Sequence, residues 1–165
     1  MYSSNQNGFT LIETLIYSAI VAVILGIAVG VSFSLIRAND ALDVQTEVVE
    51  NAKFLNQKVG WALKGASQIN SPAVGSSGST LSINTPSAAF NPFVFDLADG
   101  VARLKVGSQT PVPLTSDYVL VASMVFDNFN YSTSSKNTIR LRADIISADP
   151  SRPATAQIDA FITVR

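Results

Sequence analysis

The sequence predicts an α+β protein in which a long N-terminal helix packs on a C-terminal antiparallel β-sheet head. Three features support this prediction. The stretch from Thr14 to Ile36 is uncharged and mostly apolar. After Arg37 the apolar residues recur at helical spacing, and no proline interrupts the chain before Ser71. Beyond Thr80 apolar and polar residues alternate, which is typical of half-buried strands.

Composition limits the functions that are open to the chain. Hydrophobic residues make up 47% and charged residues only 14% of the sequence, whereas about 25% charged residues is usual in soluble domains. The apolar excess lies between Phe9 and Ile36, so it indicates a membrane segment. A net charge of -1 without a basic cluster gives no nucleic-acid signal. The absence of Cys and His excludes thiol nucleophiles, Cys/His metal sites and Ser-His-Asp triads, and we predict no catalytic site, metal or cofactor.

The N-terminal half reads as one continuous helix from about Phe9 to Ile69. Residues 9–36 are long enough to span a membrane, which takes about 20 apolar residues. They follow a short polar leader, residues 1–8, that lacks the positive charge of an ordinary secretory signal. Residues 37–70 continue the helix in amphipathic form. Its apolar stripe should be covered by the head and includes Val48, Leu55, Val59, Ala62, Leu63 and Ala66.

The C-terminal half reads as a linker, residues 71–79, followed by a β-rich head, residues 80–165. Asp99-Gly100 between two apolar runs is a strong hairpin signal. We expect about six strands in one antiparallel sheet, and we expect Trp61 of the helix to pack against that sheet. The longest predicted strands are Tyr118–Phe126, Thr138–Ile146 and Gln157–Val164.

The most informative motif is Gly8-Phe9-Thr10-Leu11-Ile12-Glu13, directly ahead of the apolar run. A lone Glu at the edge of a membrane segment is costly unless it is paired, so it marks a candidate functional site. A local alternative is a capping box, in which Thr10 caps the helix and Glu13 reaches back. The order of these residues resembles the prepilin cleavage and methylation site of type IV pilins and of the pseudopilins of type II secretion.

The resemblance implies a pilin fold and a role as a structural filament subunit, in particular a minor one. It implies cleavage after Gly8 by prepilin peptidase, N-methylation of Phe9, and pairing of Glu13 with the N-terminal amine of an adjacent subunit. The implied partners are other pilin subunits in a homo- or hetero-filament, the peptidase, the inner-membrane assembly platform, and membrane lipid before assembly. The implied location is first the cytoplasmic (inner) membrane, as a single-pass protein, and then an extracellular pilus or a periplasmic pseudopilus.

Gly26 and Gly30 form a G-x-x-x-G pattern inside the apolar helix. The pattern favours close approach of a neighbouring helix. Pilins often carry a proline near this position that lets the helix melt locally, and Gly30 would weaken the helix by about 1 kcal/mol instead. Glycine is also frequent in membrane helices without any specific role.

Two other classes of function remain open at this point. The chain is alternatively a membrane-anchored β-domain that does not polymerise and binds a ligand or partner outside the cell. A membrane-tethered enzyme is disfavoured because no recognisable catalytic motif is present.

Overall fold

The computed structural model describes residues 10–130 and 137–164. Over these residues the chain forms helix α1, Leu11–Lys64, followed by nine strands and a short 3₁₀ helix, Ala88–Phe90. The predicted α+β class, with a long N-terminal helix and antiparallel strands, is confirmed. The chain divides between Leu42 and Asp43 into two compact units. The strands are β1 (Gln68–Ser71), β2 (Ser77–Gly78), β3 (Leu81–Asn84), β4 (Phe93–Ala98), β5 (Val101–Val106), β6 (Val112–Pro113), β7 (Val119–Asn130), β8 (Asn137–Ser147) and β9 (Thr155–Thr163).

The strands form two sheets where the sequence predicted a single sheet of about six strands. The first sheet has the order β1-β3-β4-β5-β6, and the second has the order β2-β7-β8-β9. All neighbouring strands are antiparallel. The prediction missed β2 and β6 because they contain two residues each, too few to show an alternating pattern. It missed the division into two sheets because local pattern does not specify which strands pair.

The core of the second unit is shared by the helix and both sheets, as the apolar stripe predicted. Leu55 and Leu63 of α1 are completely buried together with Phe95 of the first sheet and Phe126 of the second. These residues belong to a single hydrophobic cluster. The burial predicted for six residues of the stripe is therefore confirmed: Val48, Leu55, Val59, Ala62, Leu63 and Ala66 are all 7% exposed or less. Leu42, which has the same helical spacing, is 63% exposed.

The helix ends five residues earlier than predicted, at Lys64 and not at Ile69. The Gly65 N–H still donates to the Trp61 and Ala62 carbonyls, but the Ser67 N–H already donates to Asn84 in β3, at 2.7 Å. Gly65 is a weak helix former, and pairing with β3 offers the following residues an alternative set of hydrogen bonds. The predicted linker, residues 71–79, is only partly a loop: β1 ends at its first residue, and β2, which pairs with β7, lies within it.

The predicted hairpin between β4 and β5 is present and turns on Asp99 and Gly100. Both residues have positive φ, 52° and 76°, as a type I′ turn requires. A Cβ at Gly100 would also lie only 3.0 Å from the Leu120 side chain. Glycine is thus favoured here both by backbone conformation and by space.

The outer face of the second sheet carries a ladder of charged pairs. Arg142 donates through two nitrogens to Asp127, at 3.0 and 3.1 Å, and the Ser77 hydroxyl donates to the same carboxylate at 2.5 Å. Arg140 pairs in the same way with Asp159, at 2.7 and 2.6 Å. Burial raises the pKa of the Asp127 carboxyl, but the hydrogen bonds from Ser77 and Arg142 outweigh burial and hold that pKa below its ordinary value.

These pairs predict a loss of stability in acid. Since the folded-state pKa of Asp127 is lowered, its contribution is fully present above the unfolded pKa of about 3.9 and is lost as the pH falls through the folded value. We expect the free energy of unfolding to fall below about pH 4. We expect Asp127→Asn to cost roughly 1–3 kcal/mol at neutral pH and to flatten this acid dependence.

Urea unfolding of the full chain in detergent, followed by circular dichroism across pH, measures both effects. Asp117→Asn is the matched control, because Asp117 is exposed and has no ion pair among the described residues. A wild-type acid dependence in Asp127→Asn would contradict the assignment to this carboxylate.

Candidate functional site

The helix begins at the predicted motif, and Glu13 lies in its first turn. The Thr10 carbonyl accepts the N–H groups of Glu13, at 3.1 Å, and of Thr14, at 3.2 Å. The predicted processing residues Gly8 and Phe9 lie outside the described residues. The structure therefore places Glu13 at the positive end of the helix dipole, and in sequence it lies four residues after the predicted new N-terminus, Phe9.

The capping-box alternative is not formed in the described part of this turn. A capping box needs the Thr10 hydroxyl to accept the Glu13 N–H and the Glu13 carboxylate to accept the Thr10 N–H. The Glu13 N–H is instead bonded to the Thr10 carbonyl, and residues 10–14 show neither side-chain hydrogen bond of the box. The carboxylate of Glu13 is left for a partner outside this turn.

The surroundings of Glu13 make an unpaired charge unfavourable. From Leu11 to Ile36 the large apolar side chains are exposed by half or more. The hydroxyls of Thr14, Ser18 and Ser32 bond back to carbonyls of their own helix at 2.9 Å. Residues 14–36 contain no charged side chain, and Glu13 is the carboxylate at the N-terminal edge of this apolar surface. Such a group is costly in hydrocarbon unless it is paired.

Gly26 and Gly30 lie on one side of the helix, and their own chain gives no reason for glycine. A Cβ added at either position would have no heavy atom within 4 Å, apart from the adjoining residues and local helix backbone. Their φ angles are not positive, so the backbone does not require glycine either. Packing of a neighbouring helix and local helix weakness both remain predictions for these residues.

Sequence reasoning missed two features on the helix of the head. Asn51 and Glu47 bond to Ser116, 65 or more residues away, with distances of 2.7–3.2 Å. The predicted packing of Trp61 is met only by an edge-on contact with Phe93, since the Trp61 side chain is 64% exposed. On a helical wheel Trp61 lies opposite the buried stripe, and this pattern in the sequence would have predicted its exposure.

Comparison with known proteins identifies the N-terminal segment. The family model of the prokaryotic N-terminal methylation motif matches residues 3–29. Searches of curated proteins and of solved structures found no significant match. Among the described residues, helix Leu11–Lys64 is long and apolar enough to cross a membrane. This combination fits a single-pass protein of the inner membrane and points to a structural subunit. The chain carries, at its N-terminus, the methylation motif that is the signature of type IV pilins and pseudopilins.

Proposed function

We propose that the chain is a structural subunit of a type IV pilus or of a type II secretion pseudopilus, assembled through its N-terminal helix. The observation that supports this most directly is the methylation motif on the exposed apolar part of α1, with a compact β-rich unit after it. An exposed apolar surface of this size must be covered by lipid or by other helices. Lipid covers it before assembly, and neighbouring subunits cover it in the filament.

Three residues carry the proposed processing and assembly. Prepilin peptidase cleaves after Gly8, and Phe9 becomes the N-methylated first residue. Glu13 then pairs with the N-terminal amine of the adjacent subunit, so that neither charge remains alone in an apolar bundle. The inner-membrane assembly platform adds the subunit to the filament.

The minor-subunit role stays a prediction from the sequence. It rests on the β-rich head and on the absence of the cysteines that close the C-terminal region of many pilins. The abundance of this chain relative to other subunits in purified filaments tests it.

Processing is the direct test of the proposed function. We expect native material to begin at Phe9 with a methylated amine, and we expect Gly8→Val to block cleavage because the peptidase needs close approach to the scissile backbone. Intact-mass and N-terminal analysis of the membrane and filament fractions measures both. Asn7→Ala is the matched control and should be cleaved normally. Filaments whose subunits retain residues 1–8 would contradict the proposal, and an uncleaved membrane protein without filaments would favour the anchored, non-polymerising alternative.

A further inference from the structure

An uncharged loop with exposed apolar side chains lies at the end of the first sheet where α1 also ends. The loop spans residues 85–91, between β3 and β4, and contains the 3₁₀ helix. The helix end and the loop meet because the Ser67 N–H, just after α1, donates to the Asn84 carbonyl at the end of β3. Phe90 in the loop is 53% exposed. The exposed apolar residues of the loop are contiguous, which is typical of an interaction site: Pro86, Ala88, Ala89 and Phe90.

The loop is held in its shape by one side chain. The Asn91 side chain accepts the Thr85 N–H, at 2.7 Å, and the Thr85 hydroxyl, at 3.0 Å, and it donates to the Thr85 carbonyl at 2.8 Å. A neighbouring turn supports the loop, since the Gly107 N–H donates to the Pro92 carbonyl and a Cβ at Gly107 would lie 3.6 Å from the Asn91 carbonyl oxygen. A loop closed in this way loses little conformational entropy when a partner covers it.

Trp61 extends this apolar surface on the helix side. Its side chain is 64% exposed, and its ring contacts that of Phe93, with centroids 6.0 Å apart. Phe93 is the first residue of β4 and follows the loop closely, so Trp61 and Phe90 lie at the same end of the first sheet. Indole rings are enriched at membrane–water interfaces, where the ring is covered by apolar chains and the N–H reaches polar groups.

The charges that border this surface are cationic. Residues 65–95 and 106–116 contain no charged side chain. At this end of the sheet they are bordered by Lys64, the last residue of α1, and by Lys105, the second-last residue of β5. Both lysines are exposed, and neither forms an ion pair among the described residues. The surface therefore combines an uncharged apolar centre with unpaired cations at its border.

We propose that this surface docks on an anionic lipid bilayer, with Phe90 and Trp61 in the headgroup region and Lys64 and Lys105 beside lipid phosphates. Exposed aromatic side chains bordered by lysines are typical of surfaces that bind anionic membranes. The first carboxylate along β4, Asp96, does not oppose this contact, because Arg103 donates two hydrogen bonds of 2.9 Å to it.

A bilayer suits this surface better than a nucleic-acid strand does. A strand needs cations along the path of its backbone, whereas the loop itself carries none. The surface belongs to the head and is separate from the apolar segment of α1, residues 11–36. The docking therefore does not depend on whether the chain polymerises, and failure of the proposed filament function would leave it untouched.

Trp61 reports on the contact directly, because it is the only tryptophan of the sequence. The full-length chain is inserted through its apolar helix into nanodiscs of neutral lipid. Vesicles of phosphatidylglycerol and brominated phosphatidylcholine are then added, since bromine quenches indole fluorescence only at close range. We expect the anionic vesicles to quench Trp61 and vesicles of brominated phosphatidylcholine alone to leave it unquenched. Added salt should weaken the quenching by screening the lysines.

Substitutions identify the residues that make the contact. We expect Phe90→Asp to lower the affinity for anionic vesicles about tenfold or more, because it places a charge at the apolar centre. Lys64→Gln should lower it about fivefold. Val74→Asp is the matched control and should bind like wild type, since Val74 is 55% exposed but follows the opposite end of β1. Near-UV circular dichroism compares the fold of each variant with that of wild type.

The outcomes decide between this contact and others. Absence of quenching by anionic vesicles, or equal affinity of Phe90→Asp and wild type, would overturn the proposal. Should Phe90→Asp fail to fold, unchanged affinity of the exposed-site variant Lys64→Gln would overturn it equally. Quenching of Trp61 by a single-stranded oligonucleotide, with none by the vesicles, would overturn it in favour of nucleic acid.

Discussion

A fragment covering residues 40–165 is expected to unfold cooperatively, whereas one covering residues 67–165 is expected to be unfolded or aggregated. The first keeps the whole compact unit that begins at Asp43. The second keeps all nine described strands and loses only the helix. A start at Thr80 would remove β1 and β2 as well. The reason is that the helix fills the core against both sheets, at about 0.8 kcal/mol per buried methylene. Thermal unfolding followed by circular dichroism measures the difference.

A single substitution gives the same test without truncation. Leu55 is completely buried, so Leu55→Ala should lower the free energy of unfolding of the 40–165 fragment by about 2–5 kcal/mol. Gln57 lies on the exposed face of the same helix, and Gln57→Ala should change it by less than about 0.5 kcal/mol. A cooperative transition in the 67–165 fragment would show that the sheets hold together without the helix, against the packing described here.

The sequence predicted those parts of the fold that depend on local pattern. Arg140 and Arg142 alternate with the buried residues Ile139 and Leu141. The two-residue period of a strand was therefore enough to predict which side chains of β8 face the core. The Asp99-Gly100 turn was readable because its backbone requires positive φ. The division into two sheets was not readable. It depends on which strands pair, and β2 joins β7 through only two residue pairs about 50 positions apart in sequence.

The candidate site shows the same limit. The motif that ends at Glu13 was readable because it is contiguous, and its match extends over residues 3–29. The prediction expected Trp61 to be packed because large aromatic residues are usually buried, yet its side chain is 64% exposed. Trp61 lies on the side of the helix opposite the buried stripe, and this position indicated exposure. The hydrogen bonds that Ser116 donates to Glu47 and Asn51 were not predictable, since no local pattern specifies contacts between residues so far apart in sequence.

Glu13→Ala is expected to lower incorporation into filaments by about a hundredfold or more while leaving the head folded. If the carboxylate pairs with the N-terminal amine of a neighbour, its removal leaves that amine uncompensated in an apolar bundle. Removing one partner of a buried pair costs about 3–5 kcal/mol. Loss of a helix cap lowers helix stability by only about 0.5–2 kcal/mol. This loss would affect only the first turn of a helix that extends to Lys64. Filament incorporation measured at equal membrane abundance of mutant and wild type distinguishes these magnitudes.

Thr10→Ala is the matched control, because it removes the other half of the capping box and leaves the carboxylate in place. Charge pairing predicts that Thr10→Ala assembles like wild type and that the isosteric Glu13→Gln fails almost as fully as Glu13→Ala. Capping predicts similar, modest losses for Thr10→Ala and Glu13→Ala. The structure favours the first pattern, since the Glu13 N–H is already bonded to the Thr10 carbonyl and the side-chain bonds of the box are absent from residues 10–14. Normal incorporation of Glu13→Ala would remove the support for pairing, and the N-terminal amine would then need another counter-charge or would have to remain near the water interface.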